Sequence, residues 1–453
     1  MKKILKKVGA LLLTASMTFT MAACGSGAPD TPDTSKESET SDKTDANAES
    51  DDSQEQITLT IWHQSVADTD PVKKIIEDSV TEYHDLHPNI TIEQDGVTGE
   101  QYKTKIKTAF AAGEAPDISY MFSGGSFVKP YIDAEYLLPI DEYISEETKS
   151  KVLPGMLDGC TFDGKLYTLP TVTFLANLYC NTEMFEKAGA SLPTNWTELL
   201  DAIDKLNAAG FTPIMMGEKD RWPGMYWYDI VSARTAGNKA LEEAFADPSK
   251  FNTEPFIQAA EKMQELVEAK AFNDNMMSMS YDEMVEGFAA GQGAMLFQAN
   301  WVHPSIQAET AATKDKVTCI SFPIIEGCAG SATEFSGGSS DGYYINANCK
   351  YPKEAAEYLS YLSEKIGRVG YQMGAGLPCW NTEGVDTSSL TKLDTESAAL
   401  METGTSYITW WDNIFPADAS ETYKDLVAQL MAFKITPEEF AEGMSKLSPS
   451  EFY

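Results

Sequence analysis

The sequence predicts an α/β fold in which helices cover a parallel sheet. Three observations support this class: strand-like and helix-like segments alternate from residue 57, prolines begin or end helical segments, and a glycine closes one of them. Because parallel strands need crossover connections between them, this alternation indicates that consecutive strands run in the same direction. In open sheets of this kind, ligands bind beyond the carboxyl ends of the strands.

Each predicted element has its own local signal. Alternating apolar residues indicate the first strand, and Asp70 followed by Pro71 provides the cap and first turn of a helix. Pro88 ends that helix, and Gly113 ends the next one. In chain order, the predicted elements are a strand at 57–62, a helix at 71–87, a strand at 90–93, a helix at 102–112 and a strand at 118–122.

The first 23 residues have the layout of a bacterial lipoprotein signal peptide. Four lysines precede an apolar stretch over 8–19, and the ending Met21-Ala22-Ala23-Cys24 resembles a lipobox. This predicts that Cys24 is lipidated and that the protein is extracytoplasmic, anchored to the membrane of a Gram-positive cell. An ordinary signal peptide with a chance cysteine is the alternative. No other apolar run approaches the roughly 20 residues that span a bilayer.

Residues 24–56 are predicted to form a disordered acidic tether, because they contain almost no large apolar residue. The whole chain carries a formal net charge of −35. Such a charge repels phosphate backbones, so nucleic acid is an unfavourable partner. Solubility is the simpler explanation of the charge.

The sequence contains no motif for metal, nucleotide or nucleophile chemistry. It has no CxxC pair, HExxH, phosphate loop or GxSxG elbow, and its four histidines lack metal-ligand spacing. We therefore predict no metal, no cofactor and no enzymatic activity. Six cysteines follow Cys24, and their spacing favours no particular pairing. They are Cys160, Cys180, Cys319, Cys328, Cys349 and Cys379.

Several stretches together resemble family 1 of the extracellular solute-binding proteins, the carbohydrate-binding components of ABC importers, and are distantly similar to maltodextrin-binding protein. Each stretch is weak alone, but they follow the order of the family over nearly the whole chain after the signal peptide. Cys180 departs from the tyrosine usual in the family. The stretches are AFAAGEAPDISYM (109–121), DGKLYTLP (163–170), LYCNTEMFEKAGASLPTNWTELLDAIDKL (178–206), FAAGQGAMLFQANW (288–301) and GYYINANCKYPKEAAEYLSYL (342–362).

The resemblance implies a two-lobed fold, in which each lobe is a sheet flanked by helices and the lobes are hinged around a ligand cleft. Lobe 1 would comprise 57–168 and 323–366, and lobe 2 would comprise 169–322 and 367–453. Residues 167–170 and 320–323, each extended before a proline, are the expected hinges. The implied partners are a small carbohydrate and the membrane permease subunits of an ABC importer, and the protein is expected to be a monomer.

Carbohydrate chemistry favours the same function. A sugar ring has an apolar C–H face that suits flat aromatic side chains, and its hydroxyls suit amides and carboxylates. Several tryptophans lie in polar or glycine-rich contexts, and the resemblance makes Trp301 the ligand-stacking residue. Trp196 and Trp380 serve as comparison residues, and Trp196 is expected to be structural. The expected ligand-binding residues are Gln64, Ser123, Gly124, Phe174, Trp222, Trp227, Trp301, Asp341, Trp411 and Asp412.

Two other functions stay open at this point. The chain is acidic enough to bind a non-sugar solute such as a polyamine, whose ammonium groups suit carboxylates and aromatic rings, or a peptide. A secreted glycoside hydrolase would need two carboxylates across a cleft, and an acidic chain offers many chance pairs. The main prediction remains a lipid-anchored receptor that captures a sugar or oligosaccharide between closing lobes and delivers it to an importer.

Overall fold

The computed structural model describes residues 55–453 except 125, 154, 339, 451 and 453. The predicted signal peptide, Cys24 and nearly all of the predicted tether lie outside the described residues. Within the described part of the chain, no helix has the length and apolar character needed to cross a membrane.

Strands and helices alternate along the described chain. The strands are β1 (Ile57–His63), β2 (Ile90–Gly96), β3 (Ile118–Met121), β4 (Thr161–Phe162), β5 (Lys165–Leu166), β6 (Val172–Thr173), β7 (Ala176–Asn181), β8 (Thr212–Ile214), β9 (Gly293–Ala299), β10 (Val317–Ile320), β11 (Glu334–Ser336), β12 (Gly342–Ile345), β13 (Leu377–Pro378) and β14 (Ser406–Ile408). The helices are α1 (Pro71–Leu86), α2 (Gly99–Ala112), α3 (Lys129–Asp133), α4 (Glu146–Ser150), α5 (Thr182–Ala188), α6 (Trp196–Ala208), α7 (Trp222–Ala236), α8 (Asn238–Ala246), α9 (Glu254–Glu268), α10 (Tyr281–Ala289), α11 (His303–Ile306), α12 (Pro352–Lys365), α13 (Lys392–Glu402), α14 (Trp411–Ile414), α15 (Ala417–Met431) and α16 (Pro437–Met444).

The first lobe is built on a four-stranded sheet with the order β12-β3-β1-β2. Strand β1 runs parallel to both β2 and β3, as the alternation of elements predicts. The predicted cap of α1 is also confirmed, because the Asp70 carboxylate accepts a hydrogen bond from the amide of Val72 at 2.9 Å. Gly113 ends α2 in the left-handed conformation at φ 72°, which glycine adopts without steric cost.

The second lobe is built on a mixed four-stranded sheet with the order β10-β7-β9-β8. Strand β9 is buried along its whole length, so it reads in sequence as an apolar run rather than an alternation. It runs antiparallel to β7 and parallel to β8. Helices α15 and α16 pack against the same core through residues that include Val427, Leu430 and Phe440.

Three segments of the described chain cross between the lobes. Residues 167–175 lead from β5 to β7, and residues 337–341 lead from β11 to β12. The chain returns to the second lobe between Trp380, which packs in the first core, and Leu393, which packs in a cluster with Tyr179 of β7. The first two segments contact each other, since the amide of Thr171 donates to the Ser340 hydroxyl at 3.0 Å. The expected first hinge, 167–170, lies at the start of the first crossing segment.

The expected second hinge at 320–323 is wrong. Ile320 ends β10, and the Phe322 ring packs 5.2 Å from the Phe297 ring in the core of the second lobe. The extended pre-proline pattern therefore marks the end of a strand, and the chain crosses only after Ser336. Ile325 also packs in the second core, whereas Trp380 packs in the first. The exact limits of the lobes stay a prediction.

Candidate functional site

A cavity of about 390 Å³ is lined by residues from both lobes. Its volume lies within the range typical of small-molecule sites. Gln64 follows β1, and Lys103 projects from α2 in the first lobe, whereas Trp222 begins α7 and Trp301 follows β9 in the second. The cavity therefore occupies the cleft that the two-lobed fold predicts.

One side of the cavity is formed by six aromatic residues, which we call the aromatic wall. Trp301 lies at its centre, with its ring 5.2 Å from Phe174 and 5.3 Å from Trp410. These distances and the tilted ring planes are typical of favourable aromatic pairs. The members of the aromatic wall are Phe174, Trp222, Tyr226, Tyr281, Trp301 and Trp410.

Trp301 is held in place by the residue before it. The side-chain oxygen of Asn300 accepts a hydrogen bond from the backbone amide of Leu175 at 2.7 Å. The backbone amide of Asn300 in turn donates to the backbone carbonyl of Leu175 at 3.1 Å. Asn300 is 2% exposed and does not line the cavity. This explains why an apolar strand ends on an amide: Asn300 fixes the end of β9, and Trp301 is only partly buried and lines the cavity.

Two carboxylates that the sequence singled out line the cavity but differ in their surroundings. Asp341 accepts hydrogen bonds from the Tyr120 hydroxyl at 2.7 Å and from the Ser123 amide at 2.9 Å. Burial raises the pKa of Asp341 above its usual value, although these hydrogen bonds act in the opposite direction. Asp341 is therefore held firmly in position beside the cavity.

Asp412 is only 6% exposed and lines the cavity, and no other residue that the structure describes donates a hydrogen bond to its carboxylate. Its own backbone amide hydrogen-bonds this carboxylate. Burial raises its pKa above the usual value, whereas the charges of Lys424 and Lys103 lower it. A buried carboxylate with a single donor is only partly satisfied, which is costly. Donors from a ligand in the cavity would satisfy it.

The structure brings six of the ten expected residues to the cavity. Ser123 and Gly124 lie immediately beside it without lining it: Ser123 supports Asp341, and Gly124 contacts Asn413 of the second lobe. The six that line the cavity are Gln64, Phe174, Trp222, Trp301, Asp341 and Asp412.

The expectation for Trp227 and Trp411 is corrected by the structure. Both are 1% exposed and neither lines the cavity. Trp227 packs against Phe272, Phe297 and Phe322 in the core of the second lobe. Trp411 stacks on Tyr423 with ring centres 5.2 Å apart. Both large rings fill the core of the second lobe and do not reach the cavity.

Neighbouring residues line the cavity in place of these two tryptophans. Tyr226 precedes Trp227 and Trp410 precedes Trp411, and the rings of Tyr226 and Trp410 stack with centres 4.6 Å apart. Sequence reasoning identified the segments that reach the cavity but not the residue of each segment that lines it. The other cavity residues that it missed include Lys103, Phe122, Phe127 and Tyr281.

Lys103 is the only basic side chain among the described residues that line the cavity. Its ammonium donates to the Glu100 carboxylate at 2.8 Å and lies 4.9 Å from the centre of the Phe122 ring. Both contacts hold the ammonium in this position. In the described part of the chain, no group of three or more His, Cys, Asp or Glu side chains is placed to hold a metal ion.

Two sheet-centred lobes that enclose a cavity with an aromatic wall and carboxylates define a two-lobed solute-binding protein. The model of the family described as bacterial extracellular solute-binding protein matches residues 66–368. The chain therefore belongs to this family.

Three known proteins illustrate the similarity. A structure from work on xylan utilisation by the thermophilic bacterium Caldanaerobius polysaccharolyticus is 35% identical, covers 86% of this chain and 99% of its own, and has a TM-score of 0.82. A chitin oligosaccharide binding protein is 26% identical over 86% of this chain and 97% of its own, with a TM-score of 0.76. An ABC transporter extracellular-binding protein of Pyrococcus horikoshii is 23% identical over 67% of each chain.

Proposed function

We propose that this protein is a receptor that captures a sugar or oligosaccharide between its lobes and delivers it to an ABC importer. The observation that carries the proposal is the aromatic wall around Trp301, which shares one cavity with Gln64, Asp341 and Asp412. Flat rings stack on the C–H faces of sugar rings, while carboxylate and amide oxygens accept from the hydroxyls.

Binding strength would come from both kinds of contact. Trp301 is fixed by the end of a buried strand, so stacking on it costs little side-chain entropy. Asp412 gains donors that no other described residue supplies, and hydrogen bonds to a charged group are stronger than neutral ones. A peptide would instead need groups that recognise its backbone.

The relatives suggest which sugars to test first. The 35% identical structure comes from work on xylan utilisation, and the 26% identical one binds chitin oligosaccharides. Xylo-oligosaccharides and chitin oligosaccharides are therefore the first probes for this chain. Delivery to an importer is supported by the similarity to the ABC transporter extracellular-binding protein.

The proposal includes the location and the motion of the protein. Lipidation of Cys24 would hold a monomer at the outer face of the cell membrane, with 24–56 as its tether. The two lobes would close on the sugar by hinge motion. Replacing Cys24 with alanine should give a soluble protein or an uncleaved precursor; retention of a cleaved form in the membrane fraction would contradict the anchor.

A polyamine is the second candidate ligand, because the cavity is rich in carboxylates. Glycoside hydrolysis is the third possibility, and we propose that the protein does not catalyse it.

A thermal-shift panel of xylotriose, chitobiose, spermidine and a tripeptide separates the binding classes, because a ligand that binds only the folded state raises the melting temperature. The proposal expects a rise only with the sugars and no release of reducing ends; a rise only with spermidine would contradict it.

A further inference from the structure

The cavity carries an uneven set of charges. Six carboxylates line it, whereas Lys103 is the only basic side chain among the described residues that do so. The carboxylates come from both lobes, so any ligand between the lobes would face them on two sides. They belong to Asp70, Glu100, Asp220, Asp282, Asp341 and Asp412.

Lys103 does not offset this excess for a ligand. Its ammonium is paired with Glu100 at 2.8 Å, and it lies over the faces of Phe122 and Phe127 at 4.9 and 5.3 Å. A ligand carboxylate would have to compete with Glu100 for the same ammonium. The pair leaves no uncompensated positive charge in the cavity.

Like charges meet near the Trp222 end of the aromatic wall. The Asp220 carboxylate accepts a hydrogen bond from the backbone amide of Tyr281 at 2.8 Å. Asp282 directly follows Tyr281 in the chain, so the two carboxylates belong to the same end of the cavity. Burial raises the pKa of Asp282, and the charges of Asp220, Glu286 and Glu100 raise it further. Glu100 belongs to the first lobe, so carboxylates of the two lobes repel one another across the cavity.

Asp412 provides an independent observation that points to the ligand. It is more than nine-tenths buried and lines the cavity, and among the described residues only its own backbone amide hydrogen-bonds its carboxylate. Hydroxyl groups of a neutral sugar would satisfy it. A ligand carboxylate would place a second negative charge beside a buried one, which is strongly unfavourable.

From these contacts we infer that the site selects its ligand by charge: it takes uncharged glycans and rejects sugars that carry a carboxylate. This inference rests on the proposed function and defines its substrate class more closely. Glycans with uronic-acid units are excluded, even when the rest of their structure matches a neutral ligand. The carboxylates at the Trp222 end and Asp412 together enforce the exclusion.

Matched pairs of oligosaccharides test the inference by calorimetry on the purified protein. The pairs are xylotriose with its glucuronic-acid-substituted form, and cellobiose with cellobiouronic acid. We expect the acidic member of each pair to bind about tenfold more weakly or worse than the neutral one. The discrimination should shrink when the salt rises from about 20 mM to about 500 mM, because screening weakens charge repulsion but not a steric clash.

A charge-neutralising variant locates the effect. Asp282→Asn should reduce the ratio of the acidic to the neutral dissociation constant by about threefold. Glu261→Gln removes the same charge from an exposed position on α9 that does not line the cavity, and it should leave the ratio unchanged.

Equal or tighter binding of an acidic member would overturn charge selection while the proposed function stood. Binding of no sugar in the panel would overturn the proposed function, and the charge inference with it.

Discussion

Gly124 and Asn413 lie so close together that a β-carbon on Gly124 would be 2.2 Å from the carbonyl oxygen of Asn413. Gly124 follows β3 in the first lobe, Asn413 belongs to α14 in the second, and Gly124 has a φ of 99°. The hydroxyl of Ser126 also donates to the carbonyl of Asp412. The two lobes therefore touch immediately beside the carboxylate that we assign to the ligand.

Gly124→Ala should weaken sugar binding, because the added methyl group cannot fit while the two lobes make this contact. Gly113→Ala is the matched control: it also has a positive φ, of 72°, but no neighbour within 4 Å of an added β-carbon. The control should lose about 1–2 kcal/mol of stability from backbone strain alone and retain its affinity. Calorimetry and thermal melts on both variants check this; equal affinities would contradict it.

Asp412→Ala should weaken sugar binding by about 1.5–3 kcal/mol, the usual size of a hydrogen bond to a charged group. Asp418→Ala removes an exposed carboxylate a few residues away and should bind sugar like the unmodified protein. Titration calorimetry with the best sugar of the panel measures both. If Asp412→Ala retained full affinity, this carboxylate would have no role in recognition.

Asp229→Asn should make folding stability less dependent on pH. Burial raises the pKa of Asp229 well above its usual value, although hydrogen bonds from Tyr423 and Trp411 oppose the shift. The folded protein then keeps a proton that the unfolded chain releases above about pH 3.9, so stability falls as pH rises from there. The stability of the variant relative to the unmodified protein should increase between about pH 4 and pH 8. Denaturant melts over this pH range measure the stability of both proteins. If the stability of the variant relative to the unmodified protein stayed constant or decreased, Asp229 would ionise normally.

The local parts of the fold could be predicted from the sequence, and the distant pairings could not. Strands β1, β2 and β3 and helices α1 and α2 follow from alternation, a cap and two chain breakers within 70 residues. The partner of β3 on its other side is β12, which is far along the chain and runs antiparallel. No local signal indicates that pairing, because it depends on where the chain returns to the first lobe.

The same distinction holds for the site. The resemblance to the family indicated Trp301, and the buried strand that ends just before it explains why its ring reaches the cavity. Helix α7 gave no such guide: every residue after Trp222 is buried, so the helix has no polar face to show whether Tyr226 or Trp227 faces the cavity. Two adjacent aromatics on a helix point in different directions, and only packing decides which one meets the ligand.

Trp301→Ala compared with Trp227→Ala tests the central claim most directly. Both tryptophans belong to the second lobe, but only Trp301 lines the cavity, and Trp227 is 1% exposed in the core. By calorimetry, Trp301→Ala should lose about 2–4 kcal/mol of sugar affinity, as expected for a central aromatic contact, and should remain folded. Trp227→Ala should instead lose about 3–5 kcal/mol of folding stability. Trp196→Ala removes another indole from the core, and it should also lose folding stability more than sugar affinity. If Trp301→Ala bound sugar with full affinity and melted far earlier, Trp301 would be a core residue and the proposed site would be wrong.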